Sequence, residues 1–319
     1  CDWSSDVCSS DLQPQTIWGS QSNVYNDFSP GADDADAVTY TIASDQVNAI
    51  RWLSPGKTLT IGTVGGEFLL SASTREEAIT PSNIKIVRQS EYGCAYILPV
   101  RANGVVLFAQ RDTKKVRQFI YQFESDSYIA PDLTLLSEHI TGSGIVEMDY
   151  QRDPDSIVWM VRNDGVLLGM TYERDQEVVG WHRHTVGGVS DAQSSDAKVE
   201  SVAVIPGTDR DEVWISVKRY VDGGEVRHID VIQEGRNPIA SDDDDDFFVD
   251  SGITYDGVAT TTISGLDHLE GETVQVLGDG AVIPDKVVSS GAITLTKEVS
   301  KASVGLGYMS DLETMRIED

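Results

Sequence analysis

The chain has 319 residues, with 24 Lys+Arg against 52 Asp+Glu and a formal net charge of −28, which is room for one large domain or two ordinary ones. Hydrophobic residues make up 40% of it, enough to bury a sizeable core, so wholesale disorder is excluded. Such acidity also excludes a broad phosphate-gripping surface, because no basic excess exists to release counterions, and it disfavours an anionic membrane as partner. No window approaches 18 consecutive apolar residues, and no basic stretch followed by an apolar run opens the chain, so the expectation is a soluble protein with neither a membrane span nor a signal peptide.

In chain order, the first segment, Cys1 to Leu12 (CDWSSDVCSSDL), has no periodicity and resembles a translated sequencing-adapter tract. Residues 1–12 are therefore expected to contribute nothing to folding. Of the three cysteines, Cys1, Cys8 and Cys94, this leaves Cys94, which reads as a small buried hydrophobe in a strand-like run. At the other end Leu312 to Asp319 shows no cap or closing strand, and the chain reads as an internal piece of a longer protein.

Between the ends, no stretch keeps a helical apolar period over three turns, while short β-branched and aromatic runs bounded by Gly, Pro, Asn and Asp recur throughout. The fold class is all-β. Four hairpins repeat: Ala49 to Leu53 with Thr58 to Thr63, Tyr96 to Val100 with Val105 to Gln110, Ile145 to Tyr150 with Ile157 to Arg162, and Glu200 to Ile205 with Val213 to Lys218. Their second strands begin at Thr58, Val105, Ile157 and Val213, so the spacings are 105 − 58 = 47, 157 − 105 = 52 and 213 − 157 = 56 residues. A period near fifty with four strands per unit is the signature of propeller blades. Third strands are expected at Glu67 to Ala72, Val116 to Phe123, Val166 to Tyr172 and Val226 to Ile232, and fourth strands at Ile84 to Gln89 and Val178 to Thr185. In the third unit Asn163-Asp164-Gly165 supplies the positive φ angles of a tight turn.

After Ile232, Gly235-Arg236-Asn237-Pro238 and the run Ser241 to Asp246 form a polar junction that no strand can use. The expected organisation is an artefactual 1–12, a β-propeller over 13–240 and a small acidic β-barrel or sandwich over 241–319, with a boundary near 240. The last segment holds 17 acidic and 4 basic residues, a net of −13. Its short strands are Thr260 to Ile263, Thr273 to Leu277, Ala281 to Pro284, Lys286 to Val288 and Ala292 to Thr296, with a hairpin turn at Gly278-Asp279-Gly280.

Candidate chemistry is sparse. His182 and His184 fall on one face of a strand, yet a catalytic zinc needs three protein ligands and no third has motif spacing. They read as polar strand residues, and His139, His228 and His268 as isolated surface or turn residues. The five-aspartate run lacks the alternating ligands and turn glycine of a calcium loop and reads as a solvated segment. Glu147, Asp149, Asp153 and Asp155 can be combined on paper into a glycosidase acid and base, but 52 acidic residues make such pairings by chance. No nucleophile elbow, phosphate loop or HExxH is present. Gly62 to Gly66 precedes no helix and reads as a turn. Trp52, Phe108, Trp159 and Trp214 fall in corresponding hairpins, which suits a core between stacked sheets better than a sugar platform. Catalytic, cofactor-binding and metal-ligating residues are all assigned as none.

Five stretches carry a resemblance: Tyr25 to Pro30 (YNDFSP), Leu53 to Leu59 (LSPGKTL), Gly165 to Tyr172 (GVLLGMTY) leading to Gly180 to His184 (GWHRH), and His268 to Val274 (HLEGETV). In this order they resemble the tail nozzle, or tubular tail protein B, of short-tailed bacteriophages and prophages, over about Trp18 to Met315. The resemblance implies a propeller-containing, non-enzymatic structural subunit of a homo-hexameric ring in the virion tail, assembled in the host cytoplasm. It would sit below the portal and adaptor rings beside tail fibres, without cofactor or membrane, and DNA would pass transiently through the ring without specific binding. Proteins of this family are longer at both ends, and no residues here are assigned to the region that closes the channel. The rival expectation is a propeller glycosidase or glycan-binding protein of a tail-associated depolymerase. The place where the global charge would conceal a basic DNA-binding patch is Arg111, Lys114, Lys115 and Arg117.

Overall fold

The structure, a computed structural model, describes residues 12–43, 48–74, 77, 79–233 and 246–311. The adapter-like segment apart from Leu12, the boundary expected near 240 with all of the aspartate run but Asp246, and residues 312–319 lie outside the described residues. What is described is all-β, in six antiparallel sheets, none closed as a barrel.

β1 (Thr16–Gly19) and β2 (Val38–Thr41) form a two-stranded sheet that the pattern of the sequence does not announce. Three four-stranded up-and-down meanders follow. The first is β3 (Ile50–Ser54), β4 (Leu59–Thr63), β5 (Gly66–Ser71) and β6 (Lys85–Ser90), and the second is β7 (Val100–Ala102), β8 (Val105–Ala109), β9 (Val116–Gln122) and β10 (Ser127–Ile129). The third is β11 (Ile145–Gln151), β12 (Ile157–Arg162), β13 (Leu167–Glu173) and β14 (Val178–His184). A fourth meander has three strands, β15 (Lys198–Pro206), β16 (Asp211–Val221) and β17 (Gly224–Val231). All four expected hairpins are present. Asn103-Gly104 closes one of them, and Asp222-Gly223 joins β16 to β17, with φ of 47° and 78°, and 47° and 77°, the left-handed pair that a tight hairpin turn demands.

The second hairpin starts later than its sequence suggests. The amides of Cys94 and Ala95 donate to Thr63 O (2.8 Å) and Ala109 O (3.0 Å), which holds the backbone before β7 in other pairings until Val100. β10 was not expected at all, because Ser127-Tyr128-Ile129 is too short to show a period.

Contacts gather the chain into two compact units, Cys1–Arg162 with Met170–Trp181, and Asn163–Gly169 with His182–Asp319. In the first unit the central strands are buried on both faces, as in β8, where all five residues of VVLFA are buried. An unbroken apolar strand is what a sheet covered on both sides requires. Ile17 and Ile42 cover one face of the first meander through Ile50, Ile61, Phe68 and Leu70. Its other face meets the second meander through Trp52, Leu69, Val106, Phe108 and Phe119. β6 lies against β10 and β7 against β11, so first strands neighbour first strands and last strands neighbour last.

The Trp52 indole lies directly over β4 because residue 62 is glycine: a Cβ there would stand 2.1 Å from the ring. Gly62→Ala is expected to cost about 1–3 kcal/mol through overpacking, read as a lower urea midpoint at unchanged m-value.

The C-terminal sheet corrects the expectation of a small barrel with short strands. It is one open four-stranded sheet, ordered β18 (Asp250–Ser264), β21 (Ala292–Leu306), β19 (Thr273–Gly278) and β20 (Ala281–Val287). β18 and β21 are each 15 residues long. The expected strand Ala292 to Thr296 runs on through Lys297 to Lys301, where Val299 is buried in the core and the residues around it are exposed or partly covered. Register shifts fall at Asp256/Thr260 and Thr260/Thr262, and bulges bend a strand. The bend lets Ile253 and Ile263 from opposite ends of β18 reach one core with Leu295, Val304 and Leu306 of β21.

Candidate functional site

The histidines behave in two different ways. His182 and His184 are neighbours on β14, with Nδ1 of one 2.6 Å from Nε2 of the other and rings edge-on at 4.8 Å. One ring donates an N–H to the other, so a doubly protonated pair is disfavoured. Burial lowers His182 and, together with the charge of its neighbour, brings His184 down to about 4. Gly169 on the adjoining β13 makes room for this pair, since a Cβ there would meet the His182 ring at 2.0 Å. Among the described residues no group of three or more His, Cys, Asp or Glu is placed to hold a metal ion.

His139 is exposed, as expected, but His228 and His268 are not isolated. Their rings meet edge-on at 5.7 Å, within a polar network centred on Arg219, whose side chain is 1% exposed. Its Nη1 donates to Asp230 Oδ2 at 2.7 Å and to His228 Nδ1 at 3.1 Å, and its Nε donates to Gly187 O at 3.0 Å. The Gly187 amide in turn donates to Asp250 Oδ2 at 2.6 Å, and His268 Nε2 donates to Ser251 O at 2.8 Å. Gly187 is thus held from both sides, its carbonyl by Arg219 of β16 and its amide by Asp250 of β18. Burial, then the Arg219 charge, lowers His228, while burial raises Asp250 against the Gly187 hydrogen bond. Arg219 Nη2 is buried without a hydrogen-bond partner. Sequence reasoning missed this network, although a signal exists: in β16 the buried phase runs Val213, Ile215, Val217, Arg219, Val221, and an arginine on an apolar phase needs buried acceptors.

The carboxylates nominated for an acid and base are not gathered in a cleft. Glu147 and Asp149 are half-buried on β11, and Asp153 and Asp155 are exposed in the β11–β12 turn; Glu147, Asp149 and Asp153 are each engaged in interactions of their own. A cleft of about 380 Å³ lies elsewhere, in the second unit, lined by Asp191, Ser194, Tyr220, Asp222, Glu270 and Glu272 among others. Two of these acids are committed to turns. Asp191 Oδ1 accepts the amides of Gln193 and Ser195, both at 3.0 Å, and Glu270 accepts those of Ser290 (2.9 Å) and Gly291 (2.8 Å). Hydrogen bonding with Ser195 lowers Asp191, and the Gly291 and Ser290 amides lower Glu270; burial raises Glu272.

Of the four residues of the suspected basic patch, one is ion-paired and one is buried. Lys115 bridges Asp132 at 2.9 Å and Glu138 at 3.1 Å. Arg117 is buried, donating to Gln110 Oε1 and Ala130 O, each at 2.6 Å, with its guanidinium 3.5 Å from the Tyr92 ring centroid. Arg111 and Lys114 are exposed. The Gly62 to Gly66 stretch is the β4–β5 turn, in which Thr63 Oγ1 donates to Gly66 O at 2.7 Å.

Cys94 is buried in the core between the first two meanders, where its thiol faces Glu67 Oε1 at 3.3 Å. Burial, then the nearby carboxylate, holds the thiol well above its ordinary pKa, so it is a poor nucleophile. Trp52, Phe108 and Trp159 are buried, as a core between sheets requires. Trp214 is not: it is only partly covered, and its Nε1 donates to the exposed Glu212 at 3.0 Å. Among the described residues no helix is long and apolar enough to cross a membrane. No protein-family model matches the chain, and no curated protein matches it.

Proposed function

We propose that the chain is a structural, non-enzymatic subunit of the tail nozzle of a short-tailed phage, its meanders being blades of a β-propeller. The observation that carries this reading is where the resembling motifs fall. LSPGKTL forms the β3–β4 turn, GVLLGMTY lies on β13, GWHRH on β14, and HLEGETV leads into β19. Two of the motifs meet directly, since Gly169 of one makes room for His182 of the next, and His268 of a third lies edge-on to His228. Successive meanders with first strands beside first strands suit radial repetition.

In this reading the subunit joins a homo-hexameric ring with adaptor and fibre proteins of the virion tail, and DNA passes through without being held. A wall of net charge −28 per subunit repels phosphates instead of trapping them, and the ion pairing of Lys115 and the burial of Arg117 reduce the basic patch that would oppose this.

Electron cryomicroscopy of the chain is expected to show the four meanders arranged about one axis; one continuous sandwich would overturn the propeller. At low salt the protein is expected to bind duplex DNA no better than a neutral protein, and tight binding that weakens steeply with salt would overturn the conduit.

The glycan-active reading has one observation in its favour, the carboxylate-lined cleft, in which burial raises Glu272. Polysaccharide cleavage lost in Glu272→Gln would establish it in place of the nozzle.

A further inference from the structure

The fourth meander and the C-terminal sheet are joined by a polar seam. The C-terminal core, which runs from Ile263 and Leu266 to Val304 and Leu306, closes without a residue of β15, β16 or β17. Across the seam the amide of Gly187, which Arg219 holds to the fourth meander, donates to Asp250 Oδ2 at 2.6 Å. Ser251 Oγ lies 3.3 Å from His228 Nδ1, and the His228 and His268 rings meet edge-on. β18 is strained where it makes these contacts. Ser251 has a φ of 47°, in the left-handed region that a residue with a Cβ adopts at a cost, and its carbonyl is held there by His268 Nε2 at 2.8 Å.

The geometry fixes the proton count of His228. Its Nδ1 lies 3.1 Å from Arg219 Nη1, and a guanidinium nitrogen can only donate, so Nδ1 is the acceptor and the ring is neutral with its proton on Nε2. A proton on Nδ1 would set N–H against N–H and place a second cation beside Arg219. Nη1 would then lose an acceptor, in a side chain whose Nη2 is already buried without one. Of the other groups around the ring, Asp230 attracts the proton, but its Oδ2 already accepts from Arg219 at 2.7 Å. His268 faces the ring from the C-terminal side, and Asp250 of β18 is turned to the Gly187 amide. Burial and the Arg219 charge outweigh Asp230 and lower His228.

We propose that His228 is a proton-operated latch, which when neutral joins the fourth meander to the C-terminal sheet and when protonated releases the seam while the strands of both sheets stay paired. The latch is closed above the ordinary histidine value of 6.5 and opens as pH falls below it towards the lowered one, because the released ring binds its proton first. Release also lets the turn at Ser251 relax, which favours the open form once the ring is charged. This inference does not depend on the nozzle reading.

Amide hydrogen exchange at pH 7 and pH 5, corrected for intrinsic rates, is the test. The Gly187 amide crosses the seam and is expected to exchange about tenfold faster or more at pH 5, while amides paired between β16 and β17 and between β19 and β21 keep their protection. His228→Gln retains an acceptor for Arg219 but does not titrate, and in it Gly187 is expected to exchange at one rate at both pH values. Asp250, raised by burial, acts on the same amide, and this variant separates the two groups. His182→Gln/His184→Gln is expected to leave the response in place, which separates the latch from the pair on β14. Nitrogen NMR of the wild type at pH 7 is expected to show His228 with a bare Nδ1 and a protonated Nε2. A Gly187 rate unchanged by pH, an acceleration that persists in His228→Gln or is lost in the double variant, an equal acceleration of the strand amides, or a proton on Nδ1 at pH 7 would overturn the proposal.

Discussion

Arg219→Ala is expected to lower stability by about 3–5 kcal/mol, the usual cost of removing one partner from a buried ion pair. The guanidinium is 1% exposed and Asp230 20%, so the abandoned carboxylate cannot recover full hydration. Gly187 O loses its donor as well, and with it the link that runs from Arg219 through Gly187 to Asp250. An exposed pair supplies the contrast: Arg227 and Glu200 are 58% and 35% exposed, and Arg227→Ala is expected to cost less than about 1 kcal/mol. Urea unfolding followed by circular dichroism checks both. A loss under about 1 kcal/mol in Arg219→Ala would mean that water replaces the guanidinium, and that the network is solvated in solution.

A second large effect is expected from acid. His182, His184 and His228 all have pKa values below 6.5 in the folded chain, with His184 at about 4. Folding therefore favours their neutral forms. Their contribution is complete above pH 6.5 and is lost as pH falls towards the folded pKa, because the unfolded chain binds protons first. For His184 alone, a drop from about 6.5 to about 4 corresponds to roughly 3 kcal/mol lost by pH 4. Asp250 and Glu272, raised by burial, act in the opposite direction, and Asp191 and Glu270, lowered by hydrogen bonds, add to the loss only as pH falls through the carboxylate range. The melting temperature is thus expected to fall from about pH 6.5 downwards, before carboxylates titrate. The double variant His182→Gln/His184→Gln is expected to flatten that part of the curve. A wild-type melting temperature constant from pH 7 to 5 would show that the pair is hydrated and free to protonate.

The sequence by itself determined seven of the eight strands of the four repeated hairpins, because their information is local; the exception is Tyr96 to Val100. Runs such as Val105-Val106-Leu107-Phe108-Ala109 have no helical alternative when Asn103-Gly104 precedes them, and the left-handed angles of that turn are chemically dictated. The buried Trp52, Phe108 and Trp159 followed from the same repeat. The fates of polar residues were decided only by the tertiary structure, since a polar side chain reveals its partner only when the chain places one beside it. Arg219 is one more cation in the sequence; Gly187, 32 positions away, and Asp230 and His228 on the next strand make it the centre of a network. His228 and His268 are 40 residues apart and meet because β17 and the turn before β19 are brought together. Lys115 and Arg117, which read as a patch, meet acceptors on the segment after β10 and turn inward to them. Trp214 shows the converse: its pattern is that of a core residue, but burial is a property of what lies opposite, and opposite the fourth meander no covering sheet is described. The lengths of β18 and β21 were likewise settled by pairing, because Lys297 to Lys301 has no apolar period of its own and extends as strand through the hydrogen bonds of its neighbour.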